Sequence, residues 1–308
     1  MTFKGSSPRP LACRRRKNCV AWGPIRSWRR LIRPLKAVNG AKPALVIDTR
    51  PVWESGTSGL QAPNLSYVAA PLQSLRRLPQ DQLLKQWFDL RSAEAKDGAA
   101  VALVATSPAS VEALQGMPAL WEELAKGFSH KPALFAVGSG SANSLAAWAA
   151  SCGLDPVVVS PPKGSGVEAF LQIFQANTGV PAQQANRLFV LLESTSNQPD
   201  LALGLRERGL RTARFGLYER IDLPLELSLG TTEPSMACVV VSSSALVGPA
   251  ISGLQKNGFN PKEMLWLCHH LKIAQALEKA SVHRIHQLAD LNPQTIITKV
   301  IELSRMND

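Results

Sequence analysis

From residue 43 onward the chain alternates short apolar runs, polar turns and longer amphipathic stretches. The apolar runs, rich in Val, Leu and Ala, are Ala44–Asp48, Ser66–Ala70, Val101–Ala105, Ala133–Val137, Pro156–Ser160, Leu188–Leu192, Thr212–Leu217, Cys238–Val241, Met264–Leu267 and His283–Leu288. Their apolarity is continuous rather than alternating, which predicts strands covered on both faces, as in a parallel sheet. Between them, Ser110–Leu114, Ala142–Ala150, Val167–Phe174, Leu201–Arg208, Leu246–Gln255, Ile273–Lys279 and Thr295–Leu303 read as helices. Strand and helix in regular alternation predict an α/β protein.

The order of these elements repeats. The first copy has a strand ending at Thr49-Arg50-Pro51 and a second leading into Pro71. It continues with "VALVATSPASVEAL" from Val101, "ALFAVGSGSANSLAAW" from Ala133 and "PPKGSGVEAFLQIF" from Pro161. The second copy has a strand ending at Glu193-Ser194-Thr195 and another through Tyr218. It continues with "CVVVSSSALVGPAISGL" from Cys238, "MLWLCHHLKIAQALEKA" from Met264 and "LNPQTIITKVIEL" from Leu291. Thr49 lies 22 residues before Pro71 and Glu193 lies 25 before Tyr218; Thr106 to Gly138 spans 32 residues against 28 from Ser242 to His270. Four correspondences in one order point to a duplicated α/β unit.

Nearly every strand-to-helix turn is built from Ser, Thr and Gly: Thr106-Ser107-Pro108-Ala109-Ser110, Gly138-Ser139-Gly140-Ser141, Gly164-Ser165-Gly166, Ser194-Thr195-Ser196 and Ser242-Ser243-Ser244. In a parallel sheet such turns all lie at the strand C-terminal edge, where ligands bind. Helix N-termini there expose unpaired N–H groups and a partial positive charge, a seat for carboxylates or phosphates. Ser and Thr are also the preferred helix caps, so a single turn is weak evidence and the set is stronger. The Gly138-Ser139-Gly140-Ser141 turn lacks both the ending of a P-loop and the spacing of a dinucleotide fingerprint.

Charge changes the picture less than the net value of +11 suggests. Residues 1–42 hold twelve Lys and Arg and no Asp or Glu, leaving 22 basic and 23 acidic side chains in residues 43–308. A neutral body argues against nucleic-acid binding, which needs positive charge on a folded face. The basic segment 1–42 reads as a disordered arm, an organellar transit peptide, or upstream sequence ahead of a start near Val38. No stretch approaches the ~20 apolar residues of a membrane span. Five cysteines (Cys13, Cys19, Cys152, Cys238, Cys268) without a CxxC pair predict neither a disulfide framework nor a zinc site, and fit a reducing, cytoplasmic setting. Cys152, Cys238 and Cys268 read as small buried fillers.

Thr49-Arg50-Pro51 after the first strand, Thr106-Ser107-Pro108-Ala109-Ser110-Val111 after the third, Val137-Gly138-Ser139-Gly140-Ser141-Ala142 after the fourth, and the isolated Tyr218 together resemble the uroporphyrinogen-III synthase family, over about residues 43–305. The resemblance implies two similar domains, each a parallel sheet flanked by helices (flavodoxin-like or Rossmann-like), facing across a cleft and joined by two crossings. Residues 43–73 with 222–308 would form one discontinuous domain and 74–221 the other, with a flexible hinge between them. The implied reaction cyclises hydroxymethylbilane, a linear tetrapyrrole with eight carboxylates, losing water and inverting ring D. The substrate supplies the reactive electrons, so no metal or organic cofactor is expected, and a monomer is. Tyr218 would help the hydroxyl leave. Thr49, Arg50, Thr106, Ser107, Gly138, Ser139, Ser141, Ser165, Ser242 and Ser243 would bind substrate through hydroxyls or amides.

Two turns depart from the family's pattern. Where Arg-Gly is common, this chain has Glu193-Ser194-Thr195-Ser196-Asn197, and a glutamate facing a polycarboxylate repels it unless it points away. Where Gly-Pro-x-Thr-Ala is common, it has His269-His270-Leu271-Lys272-Ile273-Ala274, so His270 and Lys272 are candidates to pair with carboxylates. Adjacent His side chains are expected to diverge, which makes a poor metal site. The alternatives are a non-catalytic relative binding a tetrapyrrole or a protein partner, and an unrelated two-domain ligand binder resembling solute-binding proteins, against which the missing export signal argues.

Overall fold

A computed structural model describes residues 43–54, 65–94, 100–117, 119–120, 122–123, 133–153, 157–161, 166–175, 186–197, 199–227 and 234–306. Among the described residues the strands form one sheet of five and one of seven. The five-stranded sheet is wholly parallel. It comprises β1 (Ala44–Asp48), β3 (Leu65–Ala69), β10 (Ala237–Val240), β11 (Leu265–Cys268) and β12 (Ile285–Gln287), in the order β12-β11-β10-β1-β3. The seven-stranded sheet holds β2 (Val52–Trp53), β4 (Gln73–Arg77), β5 (Ala100–Ala105), β6 (Ala133–Ala136), β7 (Val158–Val159), β8 (Arg187–Ser194) and β9 (Arg211–Asp222), in the order β2-β4-β9-β8-β5-β6-β7. Its β9-β8-β5-β6-β7 portion is parallel, and β4 joins antiparallel to the far end of β9.

The sequence repeat and the sheets cut the chain differently. Aligning the copies pairs β1 with β8, β3 with β9, β5 with β10, β6 with β11 and β7 with β12. Both sheets then show one strand order, second-first-third-fourth-fifth. Yet each sheet takes its first two strands from one copy and its last three from the other. This exchange makes the five-stranded sheet discontinuous in sequence.

Helices cover both faces of each sheet, as continuous apolarity predicts. On the seven-stranded sheet, α1 (Gln80–Glu94), α2 (Pro108–Gln115) and α3 (Ser139–Ser151) bury Leu83, Trp87, Val111, Leu114, Leu145 and Trp148 on one face. On the other, α4 (Val167–Gln172) and α5 (Asp200–Arg206) close a core around Phe135, Phe170, Phe174 and Phe189. On the five-stranded sheet, α6 (Val247–Lys256) and α7 (Leu271–Lys279) cover one face and α8 (Pro293–Arg305) the other. Cys238 and Cys268 are buried fillers, the Cys238 thiol pushed up to about 12 by burial; Cys152 is half-buried, and Cys13 and Cys19 lie outside the described residues.

Three elements escape the apolar-run pattern. β2 and β4 are short and largely polar, and β4 exists because the polar end of β9, Tyr218–Asp222, offers it an antiparallel partner. Helix α1 buries Leu83 and Trp87 one turn apart, within a sequence otherwise mostly polar. The expected strand Thr212–Leu217 runs on to Asp222 for the same reason as β4. Besides crossing between the sheets at residues 70–72 and after Asp222, the chain makes a short excursion at 49–51, placing β2 on the seven-stranded sheet. These passages are laddered: Leu72 N–H donates to Thr49 O (3.3 Å) and Leu223 N–H to Leu72 O (2.8 Å).

Candidate active site

The strand C-terminal edge of the five-stranded sheet is ionic. Asp48, the last residue of β1, is buried and accepts from Arg50 Nε (2.9 Å to Oδ1), Arg50 Nη2 (2.6 Å to Oδ2) and Tyr67 Oη (2.9 Å). Arg50 Nη1 also donates to Leu291 O, in the segment between β12 and α8, at 2.5 Å. Burial works against its charge, but the hydrogen bond and charge of Asp48 outweigh that and hold the guanidinium above its ordinary pKa. Thr49 is fully buried, and its hydroxyl donates to Val240 O at 2.7 Å, tying β1 to β10.

Ser242 and Ser243 follow β10 and are half-buried, with Ser243 Oγ capping the next turn at Ala245 N (3.3 Å). His270 is the extended N-cap of α7, and Lys272 in its first turn is exposed. His269 and His270 do not diverge as expected: their rings sit 3.8 Å apart at 45°. Burial first, then the neighbouring His270 and Arg50, push His269 down to about 4 against the pull of Asp290. His270 is lowered by burial too, and a helix N-terminus disfavours a cation. Among the described residues, no group of three or more His, Cys, Asp or Glu could hold a metal ion.

The matching edge of the seven-stranded sheet is mostly neutral. Thr106 follows β5 and donates to Leu192 O at 2.8 Å. Ser107 caps α2, its Oγ accepting from Ser110 N at 3.2 Å while the Ser110 hydroxyl donates back to Ser107 O at 2.7 Å. Gly138 is the N-cap of α3; Ser139 is exposed in its first turn, whereas Ser141 turns to the buried face. Ser165 lies outside the described residues.

Tyr218 sits where β9 outruns β8. The register slips between Glu193 and Ser194, so Glu193 faces Gly216 and Ser194 faces Tyr218. Such irregularities re-aim a side chain at a sheet edge. A Cβ on Gly216 would stand 2.9 Å from Thr195 Cγ2, so the crowded turn favours glycine there. The Tyr218 ring is 1% exposed and meets Trp53 edge-on at 5.6 Å, and its hydroxyl lies 3.2 Å from Ser107 Oγ and 3.4 Å from Arg220 Nη2.

Glu193 does not face outward. It is 3% exposed, paired to the Arg214 guanidinium, and accepts from Asn197 Nδ2 at 3.3 Å. Beside it a cavity of about 210 Å³ is lined by Thr106, Asn197 and Asp200 among others. That is below the ~300–1,000 Å³ of ordinary ligand pockets. Together with its two carboxylates, its size makes it no seat for a polycarboxylate.

Against this geometry stand the likenesses to known proteins. The model of the family described as HEM4, uroporphyrinogen-III synthase HemD, matches residues 60–293 of the 308. The chain belongs to the uroporphyrinogen-III synthase family. It is an enzyme of porphyrin and haem biosynthesis, a lyase whose substrate is a small-molecule tetrapyrrole. Among solved structures it is similar to a mutant uroporphyrinogen III synthase from the extreme thermophile Thermus thermophilus, at 16% identity over 79% of this chain and 91% of that one, TM-score 0.48. It is also similar to uroporphyrinogen-III synthetase from Helicobacter pylori, at 14% identity over 82% and 98%, TM-score 0.47. No curated protein matches the chain. No helix among the described residues is long and apolar enough to cross a membrane.

Sequence reasoning passed over Asp48, Trp53, Arg220 and the pairing of Glu193. Asp48 had a signal, a lone carboxylate closing an apolar run. Trp53 and Arg220 had none, because what joins them to Tyr218 is the β4–β9 ribbon.

Proposed function

We propose that the enzyme cyclises hydroxymethylbilane to uroporphyrinogen III with inversion of ring D, and that the two strand edges grip the substrate's carboxylates. The family match over residues 60–293 carries the reaction; the edges supply the roles. In this reading Arg50, held by Asp48, and the turns at Ser242, Ser243, His270 and Lys272 offer charge and donors from one sheet. The Gly138-Ser139 amides and Ser165 offer neutral donors from the other, whereas the Thr106 hydroxyl and amide both donate to Leu192 O. Ser141 contributes through its backbone amide, since its side chain faces the core; Thr49 is structural instead, because it is fully buried and its hydroxyl and amide both donate to Val240 O.

Tyr218 donates its phenol proton to the hydroxymethyl oxygen. The C–O bond breaks with its electrons leaving on water, and the pyrrole nitrogen lone pair closes the azafulvene. The proton released when the macrocycle regains its aromatic rings restores the phenol. Most of the acceleration comes from holding the ends in place. The division into residues 43–73 with 222–308, and 74–221, belongs to the same reading, with the laddered segments at Thr49, Leu72 and Leu223 as its hinge. So do a cytoplasmic monomer, no nucleic-acid partner and no cofactor.

Incubating the full chain with freshly generated hydroxymethylbilane should yield mostly isomer III. Isomer I alone, at the spontaneous rate, overturns the reading. Tetrapyrrole binding without turnover would select a non-catalytic relative instead.

A further inference from the structure

Tyr218 presents a problem for its own chemistry. Its hydroxyl is buried and 3.2 Å from Ser107 Oγ, an arrangement in which either oxygen could donate. If Tyr218 donates to Ser107, the phenol proton is committed to the fold and is not available to a leaving group. A phenol oxygen both donates and accepts, so the protein must bias it toward accepting.

The bias is present in the ribbon formed by β9 and β4. Arg220 is two residues beyond Tyr218 on the same strand and therefore on the same sheet face. Its side chain folds back, with Cζ 5.9 Å from the Tyr218 ring centroid and Nη2 3.4 Å from Oη. A guanidinium only donates, so at this contact the phenol oxygen must accept. Ser107 Oγ already accepts the Ser110 N–H as the α2 cap, which leaves its own proton to give. With Arg220 and Ser107 both donating, the phenol O–H is left pointing elsewhere. Trp53 packs edge-on against Tyr218, with Arg77 Cζ 4.4 Å from the Trp53 ring centroid, and limits water on that side.

We propose that Arg220 is a positioning residue for the Tyr218 hydroxyl, with Ser107 as its counterpart. It holds the phenol oxygen as an acceptor and compensates the negative charge that develops there as the proton leaves. The proposal rests on Tyr218 being the proton donor. The 3.4 Å contact is long for a resting hydrogen bond, and contacts of this kind shorten as charge develops. Arg220 is itself exposed, so its substitution leaves the core intact.

The test is kinetic. Arg220→Gln should lower kcat about 10- to 100-fold, less than the ~100- to 1,000-fold for losing a donor in a closed oxyanion site because Arg220 is exposed, with KM and Tm nearly unchanged. Arg220→Lys should recover part of the loss. Guanidinium ion at tens of millimolar should partly rescue Arg220→Ala and leave the parent unaffected, which a purely structural role would not show. In a Tyr218→Phe background, Arg220→Gln should add little. A rise in KM at constant kcat would overturn the proposal, making Arg220 a substrate contact. Full additivity with Tyr218→Phe would overturn it as well. If Tyr218→Phe alone loses no activity, the donor assignment fails instead, and the two failures are told apart.

Discussion

At the edge of the five-stranded sheet the polar groups form a fixed ionic set, with Asp48 gripping Arg50 and Tyr67 and the closely spaced rings of His269 and His270 alongside. At the corresponding edge of the seven-stranded sheet hydroxyls and glycine replace charges, and the charged pair that is present, Glu193 with Arg214, is folded inward. The strand order is the same on both sides. A duplicated scaffold fixes where the turns are, but a side chain there is free to differ once the strand beneath it is buried. In the proposed reading the first edge holds the substrate's carboxylates by charge, and the second meets them with weaker neutral donors and carries Tyr218.

Breaking the ionic edge should cost most. Asp48→Ala leaves Arg50 without its buried partner and should destabilise by about 3 kcal/mol, toward the low end for a broken buried pair because Arg50 is partly exposed. Thermal or denaturant unfolding reads it, and an unchanged midpoint would show that the Arg50–Tyr67 arrangement is incidental. On the neutral edge, Tyr218→Phe should lower kcat about 100-fold with a much smaller change in unfolding midpoint. Equal losses of both would make the residue a packing element.

Glu193→Gln is milder. It keeps the shape and the Asn197 contact but removes the charge opposite Arg214, whose side chain is 37% exposed. The expected loss is about 1 kcal/mol, with KM unchanged because Glu193 faces inward. A fall in KM would mean that its charge does reach the substrate.

The smallest effect concerns pH. His269 is depressed to about 4 from an ordinary 6.5, so between those values the unfolded chain binds a proton that the folded one refuses. Stability therefore falls as pH drops from about 6.5 to about 4. Half-exposure and screening bring the contribution to on the order of 1 kcal/mol. His269→Phe should flatten that part of the stability–pH curve. If the slope persists, the acid sensitivity lies elsewhere. Asp290, also depressed, acts only at lower pH.

Much of the fold was legible. Buried parallel strands need apolar residues on both faces, so ten strands stood out as continuous runs, and the turns between them fell where Ser, Thr and Gly cluster. Tyr218 and the edge turns were legible as candidates. Their states were not. Thr49 looked like a substrate hydroxyl and is spent on Val240; Ser107 looked like a carboxylate ligand and instead holds Tyr218; Glu193 looked repulsive and is neutralised 21 residues away by Arg214. Such pairings depend on contacts between distant residues, which local periodicity does not encode.

The sequence by itself determined the alternation of strand and helix, the duplication, and the chemical character of each turn, because these follow from local propensity and from which residues can be buried. Only the tertiary structure decided that the copies exchange strands between sheets, that β4 and β9 form a polar ribbon bringing Trp53 and Arg220 to Tyr218, and which polar groups remain free. A hydroxyl or carboxylate has the same identity whether it binds a ligand or its own backbone. Which of the two it does is set by the partners that folding brings within hydrogen-bond reach.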